Sequence, residues 1–184
     1  MEETTHVLVG YATAIGSTAG VAERIAARLR DSGCEVDSRP VGPDLEPGRF
    51  HAIVLGSVVH NMAWLRPALD CPDRMPATTP TWFFSVGGVE PRGRVTRRLT
   101  DLEITRVEQG FPATLRGREH RLFAGVVRMA ALALWGRVFW RLIGGRDGDH
   151  RDWAAIDRWT SGIAAEIARM RNLPGRGRPD LRVS

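Results

Sequence analysis

Thr13-Ala14-Ile15-Gly16-Ser17-Thr18 packs three hydroxyls and a glycine into six residues, between an apolar run and an amphipathic one. If a helix starts at Ser17, its first turn presents unpaired backbone N–H groups and a partial positive charge, which suit a phosphate. The hydroxyls would add donors, and Gly16 would let the backbone come close. The loop is not a Walker loop: it has no Gly-Lys-Ser/Thr, and the chain has no lysine at all. Nor is it the Gly-x-Gly-x-x-Gly dinucleotide fingerprint. The chemistry it suits is binding of a phosphate-bearing cofactor; the alternative is an ordinary strand–helix turn capped by Ser and Thr.

Two further loops share this character. Phe50–His60 is an apolar run that opens at Gly56-Ser57 into Val58, Val59 and His60, and continues through Asn61, Met62, Ala63 and Trp64 to Pro67. Thr81–Gly88 is a second run that opens into Ser85-Val86-Gly87-Gly88. Three runs, each ending in small or polar residues and following one another in this order, are more specific than one loop alone.

The elements that must position these loops follow from periodicity. Strands are predicted over His6–Ala12, Glu35–Pro40, His51–Gly56, Thr81–Ser85 and His120–Val126. A helix is predicted over Ser17–Arg30, with Val21, Ile25 and Leu29 on one face and Gly33 closing it. Short helices are predicted from Met62 to Asp70 and over Val95–Leu102, and a longer one over Met129–Ile143. The final helix is predicted to start at Asp152, a good N-cap, and to reach Arg171 with Trp153, Ile156, Trp159, Ile163, Ile167 and Met170 on its apolar positions. Strands alternating with helices imply a parallel sheet covered on both faces.

Length and composition bound the rest. The 184 residues support one domain over 1–172, with an Arg/Gly/Pro-rich tail over 173–184 expected to be disordered. Cys34 and Cys71 form no CxxC and have no histidine cluster nearby, so neither a metal site nor a disulfide framework is expected. The acidic start lacks the character of a secretory signal, and no apolar stretch is long enough to span a membrane, so a cytoplasmic protein is expected. Residues 1–90 carry 7 Arg against 11 Asp and Glu, a net of −4, whereas residues 91–184 carry 19 Arg against 10, a net of +9. A basic second half points to an anionic partner: a carboxylate-bearing substrate, a membrane surface or nucleic acid. Nucleic acid ranks low, for want of a reading motif.

The strand followed by Thr13-x-x-Gly16-Ser17-Thr18 resembles the FMN-phosphate loop of the flavodoxin family. The resemblance implies a doubly wound α/β fold with a five-stranded parallel sheet in the order 2-1-3-4-5. It also implies that the loops Ser57–His60 and Ser85–Gly88 flank the isoalloxazine ring, with Trp64 or His60 as a stacking surface. Flavodoxin is itself the standard case of FMN at the strand one/strand three switch point. Between strand five and the last helix the chain carries an insert, Val127–Arg151, rich in arginine and large apolar residues. Phe123-Ala-Gly-Val-Val, Trp135-Gly-Arg-Val-Phe-Trp-Arg-Leu-Ile-Gly-Gly145 and Asp152-Trp153 resemble the menaquinone-dependent protoporphyrinogen IX dehydrogenase branch. That branch implies an FMN-dependent oxidoreductase that oxidises a porphyrinogen-type substrate and passes electrons to a quinone. Arg92, Arg94 or Arg97 would pair with substrate carboxylates. No general base is assigned, and His60 fits a solvated loop position as well as a catalytic one.

The insert has three readings. As a helix it sets Leu132, Trp135, Phe139 and Leu142 near one face and Arg137 and Arg141 on another. It could pack on the sheet, lie at the cytoplasmic membrane surface through residues 129–143, or form a homo-oligomer contact. Two other functions stay open: an FMN electron-transfer protein or quinone reductase with another donor, and a flavodoxin-like binding module that has lost FMN.

Overall fold

The computed structural model describes residues 4–14, 16–87, 94–111, 119–127 and 148–172. Its elements are β1 (His6–Ala12), α1 (Ser17–Asp31), β2 (Glu35–Pro40), β3 (Ala52–His60), β4 (Ala63–Trp64), α2 (Arg66–Asp70), β5 (Thr81–Val86), α3 (Arg94–Gln109), β6 (His120–Phe123), β7 (Val126–Val127), β8 (Gly148–Asp149) and α4 (Trp153–Arg171). Single 3-10 turns at Pro47–Arg49 and Pro72–Arg74 precede β3 and follow α2.

The main sheet runs β2-β1-β3-β5-β6, and every neighbouring pair on that path is parallel. This is the expected doubly wound order, with the short β4 hairpin arm left out of the count. Strands buried on both faces explain the continuous apolar runs. On one face Val7, Val9, Val54 and Phe84 pack under Val21, Ile25 and Leu29 of α1 and Ile156, Trp159, Ile163 and Ile167 of α4. On the other, Leu8, Ile53, Leu55 and Phe83 pack under Ala68 of α2 and Val107 and Phe111 at the end of α3. Gly56 is required by this packing, because a Cβ there would drive into the ring of Phe84.

Two of the three long helices among the described residues are bounded where the residue chemistry says they should be. Gly33, at φ 85°, closes α1: its N–H donates to the Arg30 carbonyl, and the Cys34 N–H donates to that of Leu29. The Asp152 carboxylate accepts from the Ala155 N–H at 2.9 Å and starts α4.

Four expectations change. Strand three does not stop at Gly56: β3 runs on to His60 and folds back on β4 in an antiparallel arm, Val59 opposite Trp64. Asn61 and Met62 turn that corner, both with positive φ (51° and 60°), the pattern of a type I′ hairpin turn. The expected helix from Met62 therefore begins only at Arg66, with Pro67 in its first turn. The helix expected over Val95–Leu102 extends to Gln109, where Arg98, Asp101, Arg106 and Glu108 are exposed while Val107 stays buried. Strand five ends at Phe123, and Val126–Val127 instead pairs with Gly148–Asp149 in a separate antiparallel ribbon.

On α4, Trp153 and Met170 do not join the apolar face. Trp153 is 37% exposed, with the Arg151 guanidinium 4.4 Å from its ring centroid. The predicted helix Met129–Ile143 and the tail 173–184 lie outside the described residues.

Candidate functional site at the carboxyl end of the sheet

Register brings the three candidate loops together. Ala12 on β1 pairs with Ser57 on β3, and Ser57 pairs with Ser85 on β5. The segments Thr13–Thr18, Val58–His60 and Val86–Gly87 therefore leave the sheet side by side at its carboxyl end. In open α/β sheets this end, at the reversal of strand order, is where ligands bind.

At the start of α1, Gly16 adopts φ 90°, a conformation open to glycine and costly to other residues. Its N–H donates to Thr13 Oγ1 at 2.9 Å, which folds the loop into a tight turn. Gly16 offers no side-chain cap, and the first turn of α1 holds no acidic residue. The leading N–H groups of this 15-residue helix thus meet no competing carboxylate from that turn. Ser17 is buried, and Thr18 is fully buried at 0% exposure. The Thr18 hydroxyl has no hydrogen-bond partner. A buried hydroxyl without a partner is rare in folded proteins and calls for a ligand or a functional explanation. Ala14 is exposed, and Ile15 lies outside the described residues.

The ring-side loops are held from beneath. Ser57 Oγ accepts from the Leu65 N–H at 3.1 Å and donates to the Val58 carbonyl at 3.0 Å. Val58 and Val59 are half-buried, and His60 is exposed beside the hairpin turn. Ser85 and Val86 are fully buried, so what this segment can present to a ligand is backbone. Gly87 is half-buried, and Gly88 lies outside the described residues. Trp64 does not offer the stacking surface that the sequence suggested. It is 4% exposed, packed edge-on against Phe111 with ring centroids 4.7 Å apart. Its indole is turned inward because Nε1–H donates to Ser85 Oγ at 2.7 Å.

Two residues outside the candidate loops border the site, and a third abuts the helix that begins there. A Cβ on Gly125 would lie 3.0 Å from Val86 Cγ1 and 3.8 Å from both Gly87 N and Ser17 Oγ. Gly125 therefore joins the phosphate-side and ring-side loops. Its sequence signal is an isolated glycine inside a strand pattern, which marks a break or a close backbone approach. A Cβ on Gly87 would lie 3.1 Å from Glu103 Oε1, which sets a carboxylate of α3 behind the second ring-side loop. Arg151 abuts Gly20 in α1 while gripping Asp149 with two hydrogen bonds of 2.6 and 2.8 Å. No local pattern distinguishes Glu103 or Arg151 in the sequence.

Arg92 lies outside the described residues, as do the side chains of Arg94 and Arg97 on α3. Among the described residues no cluster of three or more His, Cys, Asp or Glu could hold a metal ion. Nor is any described helix long and apolar enough to cross a membrane. Cys34 and Cys71 are free thiols, both pushed above the usual thiol range by burial.

Comparison with known proteins places this geometry. Solved structures with a similar fold include a rubredoxin oxygen:oxidoreductase from Desulfovibrio gigas, with a TM-score of 0.56, 14% identity, and coverage of 94% of this chain and 38% of that one. A flavodiiron core from Synechocystis matches with a TM-score of 0.56, 14% identity, and coverage of 91% and 37% respectively. The chain thus spans less than two fifths of the length of these two proteins. A flavodoxin from the domain Archaea matches over 89% of this chain and 99% of its own, with a TM-score of 0.52 and 16% identity. At such identities the likeness establishes the fold. No curated protein sequence matches the chain. The model of the family described as Flavodoxin domain matches residues 8–153, and the chain belongs to that family.

Proposed function

We propose that the chain binds FMN at the carboxyl end of its sheet and serves as an FMN-dependent redox protein. One observation carries the reading: α1 starts at the carboxyl end of the sheet from Gly16 at φ 90°, with no side-chain cap and no acidic residue in its first turn, which suits a phosphate at the helix N–H groups, and the unpartnered Thr18 hydroxyl stands in that same turn. Thr13, Ser17 and Thr18 would hold the phosphate, with Gly16 allowing close backbone approach. Backbone groups of Val58–His60 and Val86–Gly87 would border the ring. Bound FMN supplies the electron transfer, while the protein supplies position, electrostatics and exclusion of water. Membership of the flavodoxin family supports the same cofactor.

Within this reading the chain acts as a dehydrogenase that oxidises a porphyrinogen-type donor and delivers electrons to a quinone. Support comes from the Arg/aromatic composition of the insert, its Gly144-Gly145 pair and Asp152-Trp153, together with the net charge of +9 over residues 91–184. An acidic carboxylate-bearing substrate and an anionic membrane surface both suit that charge. The test is direct. The protein is incubated with FMN and desalted, and its visible spectrum is recorded. A retained flavin band, chromatographed as FMN, supports the redox reading; a folded protein that retains none refutes it. The loaded protein is then assayed with a porphyrinogen and a quinone, and reduction of quinone only with a different donor would select the electron-transfer alternative.

A further inference from the structure

Below the ring-side loops runs a hydrogen-bond chain that phosphate binding does not use. Trp64 Nε1–H donates to Ser85 Oγ at 2.7 Å, Ser85 Oγ lies 2.8 Å from His120 Nε2, and His120 Nδ1 lies 3.1 Å from Glu108 Oε1. It links the β3–β4 arm, β5, β6 and α3. Trp64 and Ser85 are buried, the His120 side chain is 2% exposed, and Glu108 reaches solvent at 49%.

The spacing matches a serine–histidine–carboxylate triad, but Ser85 Oγ is fully buried and one of its lone pairs is held by Trp64. No substrate carbonyl reaches it, so the chain is not a nucleophile system. With His120 neutral its polarity follows from Glu108: beside that carboxylate Nδ1 carries the proton, and Nε2 is left to accept. An indole N–H can only donate, so Ser85 accepts from Trp64 and must place its own proton elsewhere. The acceptor is His120 Nε2, which requires the neutral tautomer with its proton on Nδ1, facing the Glu108 carboxylate.

We propose that His120 is a positioning residue whose neutral Nδ1–H form clamps the two ring-side loops together through Ser85 and Trp64, so that uptake of a second proton by His120 loosens the FMN site. The proposal rests on the FMN reading above. Protonation puts a hydrogen on Nε2, which then points at Ser85. Ser85 then accepts from both Trp64 and His120, and its own hydroxyl proton loses its acceptor in a site closed to solvent, so Ser85 must turn to satisfy it and strains both contacts. An orphaned buried donor of this kind is equivalent to about tenfold in an equilibrium constant. Among the described residues Glu108 on α3 is the charged group that faces His120, and Ser85, Trp64 and the Phe111 ring complete its surroundings. Burial holds His120 below the usual histidine range, with the hydrogen bond and charge of Glu108 opposing in part. The clamp is therefore closed at neutral pH and opens on acidification.

The experiment follows FMN affinity from pH 5 to 8 in the parent, His120→Gln and Glu108→Gln proteins, and the Trp64 indole N–H resonance in the cofactor-free proteins, assigned by Trp64→Phe. In the parent, affinity should fall about tenfold on acidification, and the indole resonance should move with the same midpoint. In His120→Gln the resonance should be flat and this part of the affinity change absent. The second ionisation of the FMN phosphate, near pH ~6 by analogy with phosphoserine, is common to both proteins and cancels in the difference. Glu108→Gln, altered at an exposed position, should fold and shift the midpoint to lower pH. An indole resonance that ignores pH, or a His120→Gln profile identical to the parent's, overturns the proposal. An indole that titrates with His120 in a protein that never binds FMN upholds the relay and instead overturns the FMN reading.

Discussion

Arg151 grips both oxygens of Asp149, two residues earlier in the chain, at 2.6 and 2.8 Å, while its guanidinium lies over Trp153 and against Gly20 of α1. One side chain thereby locks the β7–β8 ribbon to the first turns of the helix that begins at the hydroxyl loop. The same ribbon sets Val127 opposite Gly148. Arg151→Ala should lower the unfolding free energy by about 1–2 kcal/mol, the sum of a well-formed ion pair and a cation–π contact. Urea denaturation of Arg151→Ala, Asp149→Asn and the double variant would measure the coupling. Strictly additive losses would mean that the pair contributes nothing as a pair.

The same pair carries a pH signature. The hydrogen bond from Arg151 is the largest influence on Asp149 and holds its carboxyl down from 3.8 to about 2. Asp157 is shifted in the same direction, chiefly by its hydrogen bond from Arg24, which joins α1 to α4 at 2.7 and 2.8 Å. For a carboxyl whose folded value is depressed, the stabilisation is present above its unfolded value and is lost as pH falls through the folded one. Stability should therefore decline between about pH 4 and pH 2 on account of these groups. Both lie near the surface, so each contributes about 1 kcal/mol or less. Acid titration of the unfolding midpoint should show a shallower limb in Asp149→Asn; an unchanged limb would remove Asp149 from the account.

Gly56 and Phe84 make a packing prediction. A methyl group on Gly56 would enter the Phe84 ring, so Gly56→Ala should destabilise by about 1–3 kcal/mol through overpacking. The double variant Gly56→Ala/Phe84→Leu should recover part of that loss relative to Phe84→Leu alone. Thermal unfolding of the four proteins would check this, and a neutral single variant would show that the ring moves aside freely.

The parallel sheet is legible in the sequence because its strands are buried on both faces and written as apolar runs, as in Ile53–Leu55 and Thr81–Val86. The cap at Asp152 and the stop at Gly33 are legible because their chemistry is local. The β3–β4 arm is not, since its turn uses Asn61 and Met62, and methionine carries no signal for positive φ. Trp64 reads as a stacking surface for the same reason that His120 carries no signal at all. Their roles depend on Ser85, which is distant in sequence from both, and periodicity reports only near neighbours. Of the proposed site, the phosphate side is visible as a motif, while Gly125, Glu103 and Arg151 arrive from later elements that only the fold brings near.

Thr18 separates binding from folding. In the cofactor-free protein its buried hydroxyl has lost water and gained no partner, which disfavours the folded state by about 1–3 kcal/mol. Thr18→Val keeps the shape and removes the hydroxyl, so the cofactor-free variant should be as stable as the parent or more so, by about 1 kcal/mol. FMN should bind the variant about tenfold more weakly, because the phosphate loses a donor in a desolvated site. Riboflavin, which lacks the phosphate, should bind parent and variant alike. Thr18→Ser should behave in the opposite way, keeping FMN affinity while losing about 1 kcal/mol of stability with the buried methyl. Calorimetric binding alongside urea denaturation tests both arms. If Thr18→Val destabilised the cofactor-free protein and left FMN affinity unchanged, the hydroxyl would be a structural element of α1, and the phosphate would have to be held by Thr13, Ser17 and the backbone alone.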